Sequence, residues 1–242
     1  MDERTVEILG VEGSPGKGGW LGFLHNPDSG KYFAPEFLDI PFFDVIRKMQ
    51  SMGMTGKGWT IAILDTGLML DHPWIKRQLL QSKDFTGEGP EDKNGHGTLM
   101  ALNALLVAPD ANIVNIKVMD AEGRGTEENI VKGIDWAVEQ KVDGISISAG
   151  VDHSKWLLPD CKGTCKLCKA AENADKAGII VSAAAGNEPN KTYCPARLGM
   201  VKKDNHIISC QAFDLTTGKI ASYSGKGNAT GPVGMYHFIP VV

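Results

Sequence analysis

Gly56-Lys57-Gly58-Trp59-Thr60-Ile61-Ala62-Ile63-Leu64-Asp65-Thr66-Gly67 is the stretch that decides the fold. An apolar run of strand length, set between glycine punctuation, reads as a buried strand from Trp59 to Leu64 and delivers Asp65 to a tight turn at its carboxyl end. Further along, Asn94-Gly95-His96-Gly97-Thr98 puts a histidine at the opening of a helix rich in Leu and Ala. An aspartate at a strand end and a histidine at a helix start are two of the three groups that a Ser-His-Asp constellation combines. Taken singly, each has a plainer reading. An Asp before Thr-Gly is a common turn former, and a histidine between glycines caps its helix.

The text on both sides gives those two residues a frame. Phe42 to Met52 carries apolar residues at helical spacing (Phe42, Val45, Ile46, Met49). Gly97 to Val107 reads as a helix ended by Ala108-Pro109-Asp110, and Ile113 to Val118 as a second buried strand. Thr126 precedes Glu127 and Glu128, the pattern of an N-cap and an acidic first turn, for a helix to about Gln140. Gly144 to Ser148 is a third strand, Leu167 to Ala177 a third helix and Ile179 to Ala183 a fourth strand. Alternation of strand and helix over this length predicts a parallel sheet with right-handed crossovers. In such a sheet functional groups gather at the carboxyl ends of strands, so Asp65, Ser148-Ala149-Gly150 and Gly186-Asn187 are expected on one rim.

With 242 residues, 42% hydrophobic and 22% charged, the chain can bury a full core. A net charge of −4 and a pI near 5.9 argue against nucleic acid and anionic membrane as partners, since both demand clustered Lys and Arg. Met1-Asp2-Glu3-Arg4-Thr5 begins acidic and leads into no apolar stretch of signal-peptide length, and no run is long enough to span a bilayer. A cytoplasmic location is expected on those grounds, a reading that a cleaved leader would leave unchanged. Residues 1–38, rich in Gly, Pro and Asp and without clear periodicity, read as an extension or loosely ordered arm ahead of one domain over 39–242.

Asp65-Thr66-Gly67, Asn94-Gly95-His96-Gly97-Thr98 and Ala183-Ala184-Ala185-Gly186-Asn187 resemble three signature blocks of subtilisin-like serine peptidases, in the family's order. The linking text agrees, with Ala108-Pro109-Asp110-Ala111 before a strand ending Ile116-Lys117-Val118, then Gly123-Arg124-Gly125-Thr126, then Ile145-Ser146-Ile147-Ser148-Ala149-Gly150. The resemblance runs over about residues 40–224. It implies a three-layer α/β fold, a mainly parallel sheet with helices on both faces. It also implies roles. Asp65 orients and stabilises the imidazole, and His96 acts as general base and then acid. Asn187 donates to the developing oxyanion, a contribution of about 2.7–4 kcal/mol in subtilisin itself. Ser148, Ala149 and Gly150 form an edge to which an extended polypeptide adds as a strand.

One departure from the family pattern outweighs the others. The family nucleophile lies in a Gly-Thr-Ser turn beyond the Asn, and no Gly-Thr-Ser occurs in these 242 residues. Ser222 and Ser224 fall on the segment that precedes that region, and Gly163-Thr164-Cys165 comes before Asn187, in the wrong part of the fold. The expectation is a domain whose carboxyl-terminal part is missing, through a truncated or misread gene, a split enzyme, or a binding module that has given up catalysis. Loss of the nucleophile costs about 2 × 10⁶ in kcat in subtilisin itself, so the chain alone should be nearly inert. A partner or further segment is then needed for the missing layer of core.

No cofactor is required for the chemistry implied. The usual family calcium site is expected to be absent, because Asp71-His72-Pro73 is followed by Trp74 where the family often has an aspartate, and no loop interrupts Gly97 to Val107. Against that, Cys161, Cys165 and Cys168, with Cys194 following, form a short-spaced thiol cluster near the expected substrate edge. Zinc, two disulfides and unlinked thiols are all compatible with it. Cys210, in Ile207-Ile208-Ser209-Cys210, reads as a core position.

Overall fold

The computed structural model describes residues 5–8, 25–26, 31–32, 41–153, 161–202, 205–214 and 219–233. Most of the extension read over 1–38, and the tail past Val233, lie outside them.

In chain order the described elements begin with strands β1 (Thr5–Ile8), β2 (His25–Asn26) and β3 (Lys31–Tyr32). There follow α1 (Pro41–Ser51), β4 (Thr60–Asp65), α2 (Pro73–Gln78), β5 (Leu79–Asp84), α3 (His96–Val107) and β6 (Asn112–Lys117). Next come β7 (Arg124–Thr126), α4 (Glu127–Glu139), β8 (Gly144–Ile147), β9 (Ala149–Gly150) and α5 (Lys166–Lys176). The last are β10 (Ile180–Ala184), α6 (Arg197–Val201), β11 (Ile207–Asp214), β12 (Lys219–Ile220) and β13 (Ala229–Val233). The strands and helices expected from periodicity are all present, with ends shifted by a residue or two.

The main sheet runs β12-β11-β10-β8-β4-β6-β5, with β13 pairing β11. Every neighbour pair in it is parallel except β11 with β12. Central parallel strands are covered on both faces, which is why Ile61-Ala62-Ile63-Leu64 reads as a continuous apolar run. Its side chains divide between two cores. Ala62 and Leu64 pack with Val114, Ile116, Ile145 and Val181 under Ile130 and Ile134 of α4 and Ala171 of α5. Ile63 and Ile113 face the other way, onto Leu102 and Leu105 of α3 and Ile75 of α2. The molecule is therefore an α/β sandwich of three layers.

Capping follows the local sequence. Thr126 accepts the Asn129 N–H at 3.1 Å through its hydroxyl, and Glu127 and Glu128 occupy the first turn of α4. A second sheet departs from the sequence reading. Thr5–Ile8, in the stretch without periodicity, is the middle strand of a three-stranded sheet β7-β1-β9, antiparallel to both neighbours. Glu7 stands opposite Arg124 on one side and Gly150 on the other.

Candidate active site

Asp65 closes β4 and His96 opens α3, and they meet. His96 Nδ1 lies 2.8 Å from Asp65 Oδ1, with the residues 0% and 1% exposed. The approach depends on glycine. A Cβ on Gly97 would stand 2.2 Å from the Gly67 carbonyl oxygen and 3.0 Å from the Asp65 Cβ, so only glycine lets the helix start lie against the turn. Gly67 itself holds φ +104°, in the left-handed region. The carboxylate is oriented by the Thr66 N–H, which donates to Asp65 Oδ1 at 2.8 Å, while the Gly97 N–H donates to the Thr66 hydroxyl oxygen at 2.9 Å.

Two supporting residues escaped the sequence reading. Buried Asp92 accepts from the Thr66 hydroxyl (2.9 Å), the N–H groups of Asn94 (3.0 Å) and Gly95 (2.7 Å), and both the N–H (2.9 Å) and the hydroxyl (2.6 Å) of Thr98. One carboxylate thus ties the turn after Asp65 to the loop that presents His96. The spacing Asp-x-Asn-Gly-His was the available signal, since an Asp two residues before an Asn favours a side-chain-closed turn. Lys117, at the end of β6, is 0% exposed, and its Nζ donates to the Thr66 carbonyl at 2.8 Å and the Glu91 carbonyl at 3.2 Å, with Glu88 at 3.4 Å. A buried cation beside a carboxylate and two carbonyls stiffens the backbone that carries Asp65.

Asn187 follows β10. Since β10, β8 and β4 are consecutive in the sheet and parallel, Asn187, Ser148 and Asp65 leave it on one rim, as expected. Gly186, at φ +115°, sets the course of the chain into Asn187 with the Tyr193 ring against it, and the Gly225 N–H donates to its carbonyl at 2.8 Å. The loop after Asn187 is fastened to the edge segment. Lys191 Nζ bonds Asp152 at 2.9 Å and Glu188 at 2.6 Å, contacts with Glu188 and Asp152 that raise the Lys191 pKa, and the Tyr193 hydroxyl donates to Glu188 at 2.7 Å. Ala149 and Gly150 form β9 and already have a strand beside them, β1.

The remaining candidates separate cleanly. Ser222 is exposed, whereas Ser224 is buried and engaged, accepting the Ala212 N–H and donating to the Gly225 carbonyl, both at 2.9 Å. His72 caps α2 by accepting the Trp74 N–H at 3.3 Å, and α3 runs unbroken from His96 to Val107. Cys161, Cys165 and Cys194 are gathered, but their fourth companion is His153, which the sequence reading did not single out; the four ligand atoms lie within 4.8 Å of one another. Cys168, expected among the ligands, lies outside that set. It belongs to the first turn of α5, donates its N–H to the Cys165 sulfur at 3.4 Å, and is buried in the core. Hydrogen bonds from the Cys168 and Cys194 thiols hold the Cys165 thiol well below its usual range, and the same contacts with Cys165 push both donors up. Cys210 is half-buried in β11, 3.2 Å from the Ser182 hydroxyl, and burial raises its pKa.

A parallel sheet with a buried Asp–His pair and an Asn on the same rim has the frame of a serine hydrolase. The chain belongs to the subtilase family, whose model matches residues 56–235. It is 40% identical over 178 residues to the Major intracellular serine protease of Bacillus subtilis (strain 168), an alignment covering 67% of this chain and 53% of that one. It is 30% identical over 210 residues to Serine protease AprX of the same organism, covering 76% and 46%. Subtilisin DY of Bacillus licheniformis is 32% identical over 191 residues, covering 74% and 65%. The chain thus spans about half the length of the first of these curated relatives. No helix among the described residues is long and apolar enough to cross a membrane.

Proposed function

We propose that the protein is a serine-type endopeptidase that cleaves polypeptides, with Asp65, His96 and Asn187 as its resident catalytic groups. The nucleophilic serine comes from sequence outside these 242 residues. The observation that carries the reading is the buried 2.8 Å contact between His96 Nδ1 and Asp65 Oδ1. With the Nδ1 proton directed to the carboxylate, the tautomer is fixed and Nε2 is the nitrogen that takes the serine proton and later returns it to the leaving amine. Asp65 stabilises the imidazolium between those steps, and the Asn187 amide donates to the tetrahedral oxyanion.

A polypeptide substrate is supported by the strand β1. An extended segment of this chain lies between β7 and β9 with backbone pairing on both sides, the mode by which a peptide adds to two edges whatever its side chains. A substrate takes the place of that segment. We place the protein in the cytoplasm, in keeping with five cysteines that are free of disulfides and with relatives named as intracellular. The second reading, a binding module without catalysis, draws on the lack of Gly-Thr-Ser in the sequence. The two are separated by sequencing the transcript past the codon for Val242 and expressing the whole reading frame. An in-frame Gly-Thr-Ser, peptide hydrolysis, and its loss by at least about 10⁴-fold in His96→Ala support the peptidase; a stop codon with retained peptide binding supports the module.

A further inference from the structure

We propose that His153, Cys161, Cys165 and Cys194 bind one zinc ion that fastens the substrate edge to the loop after Asn187. The four ligand atoms lie within 4.8 Å of one another. A tetrahedral zinc with Zn–S bonds of about 2.3 Å spaces its sulfurs roughly 3.8 Å apart, so a small contraction closes the shell. An iron–sulfur cluster would hold its ligands further apart than one ion does. Thiolate and imidazole donors without hard oxygen ligands suit zinc, and four protein ligands leave no open position, the mark of a structural site.

His153 supplies an independent observation. It is 6% exposed, and neither of its ring nitrogens has a hydrogen-bond partner among the described residues. A buried imidazole with both nitrogens unsatisfied is costly unless something binds there. The Glu127 carboxylate stands 4.0 Å from Nε2, which leaves Nδ1 for the ion and sets Glu127 to accept from the other nitrogen once the ring settles, the usual outer partner of a ligating histidine. Cys168 serves beside the shell, through its N–H to the Cys165 sulfur. Loading requires the cysteine ligands as thiolates and displaces whatever thiol protons remain, so zinc binds less tightly as the pH is lowered.

The ligands come from three separate places. His153 follows β9 and Val151, whose N–H and carbonyl pair with those of Cys194 at 3.0 Å. Cys194 ends the loop from Asn187, and Cys165 caps α5. An ion there locks strand edge, oxyanion loop and helix together, and this consequence rests on the peptidase reading while the site itself does not.

The test is metal analysis of the full 242-residue chain purified under reducing conditions, by elemental and native mass spectrometry. One zinc per chain is expected, and a chelator-stripped sample refilled with cobalt should show the visible bands of a tetrahedral thiolate site. His153→Ala and Cys161→Ser should reduce stoichiometry to below about a tenth of a zinc per folded chain, with folding checked by circular dichroism, while Cys168→Ser keeps one. Where a variant does not fold, cobalt titration of the stripped parent decides. No metal and no cobalt spectrum in a folded parent, an iron–sulfur chromophore, or a disulfide among these cysteines would overturn the proposal. Retention by His153→Ala with loss by Cys168→Ser would overturn the ligand set.

Discussion

Asp92 shows how much of the site is held by a residue that need not touch substrate. Its two oxygens take five hydrogen bonds from Thr66, Asn94, Gly95 and Thr98. Bonds to a buried charge are each worth more than neutral ones, and their donors are orphaned together when the carboxylate goes. Asp92→Ala should therefore destabilise the fold by about 3 kcal/mol or more in urea unfolding, against less than about 1 kcal/mol for an exposed carboxylate such as Glu122. A change for Asp92→Ala as small as that of Glu122→Ala would show that the turn and the His96 loop are held by other means. Asp65 and His96 were legible because local text, Asp-Thr-Gly and Asn-Gly-His-Gly-Thr, carries the turn chemistry that presents them. Lys117 and His153 were not, since a lysine at a strand end reads as solvent-facing and a lone histidine as ordinary. What gives each its place is contact with chain far away in sequence, Thr66 and Glu91 for Lys117 and the cysteines for His153.

At the scale of elements, the central strands could be read because parallel strands buried on both faces are continuous apolar runs, and the crossover helices because their caps sit at the right offsets. The strand β1 could not. Four residues, Thr-Val-Glu-Ile, carry no lasting period, and both partners lie more than a hundred residues ahead, so only the finished edge selects them. Its pairing is in antiparallel register with both neighbours, and under the proposed function an extended peptide takes its place. Removing residues 1–8 should tighten binding of an extended fluorescent peptide by about tenfold, a change of about 1.4 kcal/mol, with little effect on the thermal midpoint. Unchanged affinity would mean that peptides do not use the edge between β7 and β9.

For the whole molecule, the sheet divides two cores that do not share side chains. Leu102 faces one and Ile134 the other, and both are fully buried. Each truncation to alanine should cost about 2–5 kcal/mol, and the double variant should match their sum to within about 0.5 kcal/mol because the sheet stands between the sites. Strong coupling would argue against three layers. The whole chain also bears on catalysis. Asp65, His96 and Asn187 share one rim, but the serines near the expected path are exposed, as Ser222, or tied into the backbone, as Ser224. The most direct measurement is therefore fluorophosphonate labelling of this 242-residue chain, read by intact-mass and peptide-mapping mass spectrometry. No covalent adduct is expected, since the proposed function assigns His96 as base and Asn187 as oxyanion donor and places no nucleophile among these 242 residues. Stoichiometric labelling of Ser222, Ser224 or any other residue, abolished by His96→Ala, would contradict that and place an active nucleophile inside the chain.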